Sequence, residues 1–206
     1  MIKRYSPVRF DSLPARTEIR DGWQVVIAYE GEGVGPSLFD LSHITKWDIQ
    51  SADLSQIQPR GVIIPVVPGA CVLGEGLLIN RMNRTQARVW HISGEKPQTP
   101  DEPGYTDVTE GFTMLGLLGK EIFSIMEKIT ALDLQPPGKQ PPFLLQGPVV
   151  HVTCQVVVLE KDALIIAFSR GYAHSMVEAI LEAGLEWGIR PAGEQAFRNY
   201  LEILSH

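Results

Sequence analysis

Asp40-Leu41-Ser42-His43 and Asp107-Val108-Thr109-Glu110 are the stretches on which the reading of the fold turns. Each runs acid, aliphatic, hydroxyl, polar. The first is followed by residues 45–49 and the turn Gln50-Ser51-Ala52-Asp53, the second by residues 112–117 and the turn Leu118-Gly119-Lys120. A unit of acid, hydroxyl, strand and small-residue turn therefore recurs at an offset of 67 residues. Such a repeat is the signature of a fold built from two similar halves. In the second unit a helix follows, because Ile122, Ile125, Met126 and Ile129 within 119–132 fall at i, i+3, i+4, i+7. The matching part of the first unit is eroded: residues 55–60 are few and run into Pro59. The short Asp, Ser and Thr side chains suit hydrogen bonds to nearby backbone that set the start of a strand. Asp40 and His43 are also candidates for lining a pocket.

Working outward, residues 23–29 (WQVVIAY) read as a strand. Residues 45–49 alternate, with Trp47 and Ile49 on one face and Lys46 and Asp48 on the other, which predicts a half-buried strand. Residues 62–67 are apolar but contain Pro65, which predicts a sheet edge or bulge. Residues 84–92 alternate around Ala87, Val89 and Trp90, with Trp47 and Trp90 expected in the core. Residues 149–159 and 163–168 predict a hairpin joined by Glu160-Lys161-Asp162. Residues 171–188 predict a helix with Met176, Val177, Ile180, Leu181 and Leu185 on its apolar face, and 191–204 a second one. The proline-rich stretches 94–104 and 135–142 are loops, since proline lacks the amide hydrogen that helices and central strands need. The class is α+β: two pseudo-repeated halves, about 20–93 and 105–206, with antiparallel sheets and packed helices in one domain.

The 206 residues carry 18 Lys and Arg against 24 Asp and Glu, a net charge of −6. That argues against a nucleic-acid partner, which needs a basic face. The two cysteines, Cys71 and Cys154, exclude a disulfide scaffold, and they form no C-x-x-C pair for zinc. Residues 1–20 are charged and carry no apolar core segment, so a cytoplasmic protein is expected. The longest apolar stretches, such as 156–159 and 164–168, are far short of the roughly 20 residues that cross a membrane. His43, His91, His151, His174 and His206 are scattered without metal-ligand spacing, and no metal is expected. Gly31-Glu32-Gly33-Val34-Gly35-Pro36 opens no helix that receives phosphate and reads as a flexible turn.

Three stretches carry a family resemblance. Leu38-Phe39-Asp40-Leu41-Ser42-His43-Ile44 is similar to an F-D-x-S-H segment and its strand. Residues 105–134 resemble a D-V-[ST] strand, turn and helix that close on L-D-L, here Leu132-Asp133-Leu134. Phe168-Ser169-Arg170-Gly171-Tyr172-Ala173, then Gly188-Ile189-Arg190-Pro191-Ala192-Gly193, resemble the approach to a last helix through G-[IL]-x-P-[AI]-G. Together they resemble the folate-binding domain superfamily of the glycine-cleavage aminomethyltransferases, leaning toward the gamma subunit of heterotetrameric sarcosine oxidase. The likeness spans about residues 20 to 203. The departures are specific. The family's G-G-x-x-D-D segment is met at residues 71–80 by Glu75 alone. Glu202 falls one residue early against the family's L-R-x-E, a turn of about 100° on a helix. A C-terminal barrel and the K-G-C-[FY]-x-G-Q-E signature of the iron–sulfur helpers are absent from this sequence.

A pterin site needs a carboxylate for the ring's N–H donors, aromatic faces and cations for an acidic tail. The resemblance implies tetrahydrofolate as the ligand and Asp40, His43, Arg81, Arg170, Tyr172 and Glu202 as the cofactor-binding residues. The run Arg81, Arg84, Arg88 would hold the tail or else be a solvated strand face; Arg170 and Tyr172 would form the pocket rim or else a salt bridge or helix cap. No catalytic residue is assigned. With the Asp pair missing, the expectation is an accessory, non-catalytic subunit of one-carbon metabolism. It would dock on a larger flavin- or folate-dependent protein, or on itself, through apolar surface left by the eroded first repeat. The alternatives are a tetrahydrofolate-binding one-carbon transferase and a stand-alone folate- or small-molecule-binding protein.

Overall fold

The structure is a computed structural model in which residues 2–93 and 97–204 are described. The chain forms β1 (Pro14–Arg20), β2 (Trp23–Tyr29), β3 (Ser37–Asp40), β4 (Lys46–Gln50), β5 (Cys71–Gly74), β6 (Leu77–Arg81), β7 (Gln86–Trp90) and β8 (Tyr105–Asp107). There follow β9 (Phe112–Leu118), α1 (Ile122–Glu127), β10 (Phe143–Val149), β11 (Val152–Glu160), β12 (Ala163–Ser169), α2 (Ala173–Ala183), β13 (Arg190–Ala192) and α3 (Glu194–Leu204). The β1–β2 hairpin stands by itself. The other strands make a six-stranded sheet, β10-β11-β12-β9-β3-β13, and a five-stranded sheet, β5-β6-β7-β4-β8.

The repeat is visible as an exchange. β3 lies in the six-stranded sheet beside β9, and the chain then crosses to place β4 in the five-stranded sheet. β8 lies beside β4, and the chain crosses back to give β9. The two crossings bond each other. Met114 N donates to Ser42 Oγ at 3.3 Å, and Lys46 N donates to Thr109 Oγ1 at 2.9 Å. Asp40 Oδ1 accepts from Ser42 N at 3.0 Å and Asp107 Oδ1 from Thr109 N at 2.9 Å, so both acids hold their own hydroxyl residue in place.

Strand alternation then builds layers. Leu115, Leu117, Val156, Val158, Leu164 and Ile166 face outward under Ile122, Ile125, Met126, Met176, Val177 and Ile180 of α1 and α2. The opposite face, with Met114, Val157, Ile165 and Ala167, packs on Leu78 and Trp90 of the other sheet and on Phe197 of α3. Gly116 leaves the notch for this: a Cβ there would come within 2.9 Å of both Leu41 and Phe197. The far face of the five-stranded sheet, with Trp47, Ile49, Ile79 and Val89, is covered by Leu54, Ile57 and Ile64 of a loop, where the second half has helices. The eroded first repeat is thus a helix layer replaced by loop.

Several local expectations are corrected. The strand holding Trp47 alternates as expected but is buried on both faces, because it is sandwiched: Lys46 is fully buried and Asp48 nearly so. Residues 62–67 form no strand; Ile64 and, in part, Val62 turn in, while Ile63, Val66 and Val67 are exposed. The stretch 71–80 is the β5–β6 hairpin, and Glu75 sits with φ 50° in its two-residue turn with Gly76. The helix from Ala173 ends at Ala183 and is capped by Gly184, where a Cβ would strike Ile189; Leu185, beyond the cap, is left 74% exposed. The stretch 191–204 opens as β13, paired parallel to β3, before α3 begins; Pro191 is tolerated on that sheet edge. β10 goes beyond the expected strands: it follows Pro142 directly and carries Pro148 within it, on the edge of its sheet.

Removing either crossing hydroxyl leaves a buried main-chain N–H without its acceptor, which costs about 1–3 kcal/mol. Thr109→Ala and Ser42→Ala are expected to lower the urea midpoint accordingly, and Thr109→Ser to restore most of the loss; equilibrium unfolding followed by fluorescence checks this.

Candidate functional site

The crossings and the β1–β2 hairpin meet around one cavity of about 310 Å³, bordered by Arg4, Arg20, Trp23, His43, Asp107 and Glu110 among others, and the start of α3 reaches its His43 and Arg20 through Glu194. His43 is placed by the first crossing. α3 is placed by Gly193, where any Cβ would lie 2.2 Å from Ile27 O. The glycine-rich turn helps: Glu32 Oε1 accepts from Tyr29 N at 2.6 Å and from Gly193 N at 2.7 Å, so it is a pinned connection and not a flexible one.

Glu194, the first residue of α3, is the electrostatic centre, with its side chain 2% exposed. It accepts from His43 Nε2 at 2.9 Å, pairs with Arg198 at 2.9 Å, and pairs with Arg20 on its other oxygen. Burial alone would raise its pKa; the hydrogen bonds and charges of His43 and Arg198 outweigh that and hold it at about 2. Asp40 accepts the Ser6 hydroxyl on Oδ2. Arg4 pairs with Asp21 and, at 2.8 Å, with Glu110. The Arg170 guanidinium donates to Tyr5 O and lies 5.8 Å from the centre of the Trp23 ring.

Lys46 lies beneath these groups. Its ammonium donates to Ser42 O at 2.9 Å and Ile44 O at 2.7 Å. Burial drives its pKa down to about 7, against the upward pull of Asp40 and Asp107 and with the repulsion of Arg88 and Arg170. It is too deeply enclosed to meet a substrate.

Of the residues named from sequence, the structure gathers Asp40 and His43 beside Trp23, with Arg170 over the same indole. The other three lie elsewhere. Arg81 is buried in β6 and donates to Arg84 O. Register pairs Arg81 with Ala87 and Arg88 with Asn80, so the two arginines face opposite sides of the sheet and form neither a common basic surface nor a solvated one. Arg88 is spent on Asp48, at 2.9 Å, and on the Phe112 ring, at 4.4 Å. Tyr172 is 52% exposed, and Glu202 is exposed near the far end of α3. Sequence reasoning missed Glu194. The usable signal was an acid in the first turn after Pro-Ala-Gly with Arg198 four residues on. Among the described residues no cluster of three or more His, Cys, Asp or Glu could hold a metal ion, and no helix is long and apolar enough to cross a membrane.

Two pH responses follow. Glu194 has an ordinary pKa of 4.5 and about 2 in the fold. Its contribution is therefore complete above pH 4.5 and is lost as pH falls toward 2. At about 1.4 kcal/mol per pH unit this is on the order of 3 kcal/mol. Glu194→Gln is expected to be less stable than the parent at pH 6, with the gap closing toward pH 2 in a urea series. Lys46 responds with the same sign at higher pH, because burial disfavours its charged form. Between pH 7 and 10.5 the unfolded chain holds the extra proton, so stability rises with pH, by at most about 1.4 kcal/mol per unit. The stability of the parent relative to Lys46→Met should be flat below pH 7 and climb from pH 7 to 9.

No family model and no curated protein matches this sequence. Solved structures do. A chain of the heterotetrameric sarcosine oxidase from Corynebacterium sp. U-96 superposes with TM-score 0.60 at 12% identity, over 74% of this chain and 85% of that one. The glycine cleavage system aminomethyltransferase T from Bartonella henselae superposes with TM-score 0.54 at 15% identity, over 89% of this chain and 57% of that one. The chain thus corresponds to a little over half the length of the aminomethyltransferase. In fold, this α+β chain with its paired antiparallel sheets stands with the glycine-cleavage aminomethyltransferases and heterotetrameric sarcosine oxidase.

Proposed function

We propose that this chain is a non-catalytic accessory subunit of a larger flavin- or folate-dependent assembly in cytoplasmic one-carbon metabolism, acting as a single aminomethyltransferase-like unit. One observation carries the reading: the carboxylates that line the central cavity, Asp21, Asp107 and Glu110, and those beside it, Asp40 and Glu194, are each engaged by the chain itself, Asp107 by Thr109 N. Glu194 is held by His43, Arg20 and Arg198, Asp40 by Ser6, and Asp21 and Glu110 by Arg4. A pterin ring pairs its N–H donors with a carboxylate that is open to it, and these residues do not fit that demand. The six residues proposed from sequence are not gathered on one ligand surface either, since Arg81, Tyr172 and Glu202 lie away from the cavity. Support for docking comes from the loop that replaces the first half's helix layer. It exposes Ile63 at 66%, Val66 at 80% and Val67 at 65%, clustered within five residues.

A second reading, a tetrahydrofolate-binding transferase, is favoured by the cavity's volume, about 310 Å³, at the lower end of the range for ligand pockets. Calorimetric titration with 5-formyltetrahydrofolate, paired with melting temperature, separates the two. The expected result is no detectable heat and an unchanged melting temperature. Micromolar binding that Asp40→Asn weakens would overturn the accessory reading in favour of the transferase.

A further inference from the structure

Most sheet edges of this fold are blunted. β10 carries Pro148 and is tied to Met82 O through Gln146, and the outer strands β13, β5 and β8 have four residues or fewer. β1 is different. It has seven residues and pairs with β2 alone among the described strands. Six of its residues are exposed, and the seventh, Arg20, is half-buried. The hairpin is held to the body by β2, whose Trp23, Val25 and Ile27 are buried, with Ile27 O against Gly193 at the start of α3. An unpaired strand edge presents main-chain N–H and C=O groups to any strand that can lie beside it. A two-stranded hairpin gains from such a third strand, because alone it is marginal in water.

The side chains along β1 say which strand fits. Alternation puts Arg16, Glu18 and Arg20 on one face, and their contacts agree: Arg16 reaches Gln195 at 3.4 Å, Arg20 pairs with Glu194, and Arg20 also bonds Glu18. Thr17 and Ile19 take the other face, where Ile19 is 66% exposed. Leu13, just before the strand, is 70% exposed. The charges alternate in sign, so the strand complements itself in one antiparallel register. Centred on Thr17, a second copy sets Arg16 opposite Glu18 twice and Thr17 against Thr17. The same register uses the whole strand and brings Ile19 of each copy beside Ala15 of the other and toward its Leu13. Centred on Glu18, the strand would set Glu18 against Glu18 and Arg16 against Arg20; centred on Arg16, it would set Arg16 against itself. Both oppose like charges. Glu18 has room for the new partner, since both bonds from Arg20 go to its Oε2 and leave Oε1 without one among the described residues.

We propose that β1 is a docking edge for a second copy of this chain, which adds its own β1 antiparallel across a two-fold axis at Thr17. Two hairpins then merge into one four-stranded sheet, β2-β1-β1-β2. The arrangement is isologous and closes at two copies, so it builds a dimer and not a fibre. The pairing has a small footprint, one strand edge and the side chains along it, which places the dimer among weak, reversible associations. It leaves the exposed loop residues Ile63, Val66 and Val67 unused, and neither Arg16 nor Glu18 lines the central cavity. The proposal therefore goes beyond the accessory role and does not rest on it.

The test is sedimentation equilibrium of the full chain from about 10 μM to about 1 mM, a range that brackets weak association. The average mass is expected to rise from 22.8 kDa toward twice that value. Arg16→Glu and Glu18→Arg, each alone, place like charges opposite in the paired strands and should weaken association at least about tenfold. Both positions are exposed, so both variants should keep the parent's melting temperature. Mixing the two variants sets two glutamates against two arginines and should restore a dimer, as should the double variant Arg16→Glu/Glu18→Arg. A mass that stays at the monomer's up to about 1 mM overturns the proposal. So does dimerisation that both single variants leave unchanged, or a mixture of the two that does not associate. None of these outcomes bears on the accessory role, which the folate titration tests separately.

Discussion

The hydroxyls of Ser42 and Thr109 each accept a main-chain N–H from the opposite crossing strand, and the architecture hangs on that reciprocity. A chain that passes between two packed sheets must bury backbone polar groups where no ladder exists to pair them. Here each passage supplies the other's missing acceptor, and each hydroxyl residue is held by an acid two positions before it. Once both passages are fixed, β3 and β8 are committed to the sheet of the other half, and the two sheets close face to face over Trp90, Met114 and Phe197.

The same closure governs the charges. Sandwiching the strand of Lys46 and Asp48 removes both from water, and a buried charge persists only with close partners. Asp48 takes Arg88; Lys46 takes two carbonyls and the more distant pull of Asp40 and Asp107. At the start of α3 the buried Glu194 takes His43, Arg20 and Arg198. These pairings turn what would be a receptive polar pocket into a self-satisfied one. On the far side of the five-stranded sheet, the nitrogens of the buried Trp47 and His91 have no hydrogen-bond partner among the described residues.

The sequence carried a good part of this. The repeated acid–aliphatic–hydroxyl unit announced two halves and placed Asp40 and Asp107 at equivalent starts. Periodicity located the β11–β12 hairpin and the buried faces of α1 and α2. The resemblance to the aminomethyltransferase domain pointed to the fold that the superpositions then showed. The misses have physical causes. β10 directly follows the proline-rich loop 135–142 and holds Pro148 itself, and the parallel β13 is three residues long and held by a distant partner, β3. Leu185 fell off the helix face because Gly184 must sit against Ile189.

What the sequence determined by itself was local: which residues alternate, which repeat, and which can bond their own backbone, all set by contacts within a few positions. What only the tertiary structure decided was the fate of each polar group. Lys46 and Asp48 read as the wet face of a strand until a second sheet covered them, and Glu194 read as an ordinary helix start until His43, 151 residues earlier, was brought to 2.9 Å. Burial and charge pairing depend on which surfaces meet, and that is a property of the whole packed chain and not of any segment.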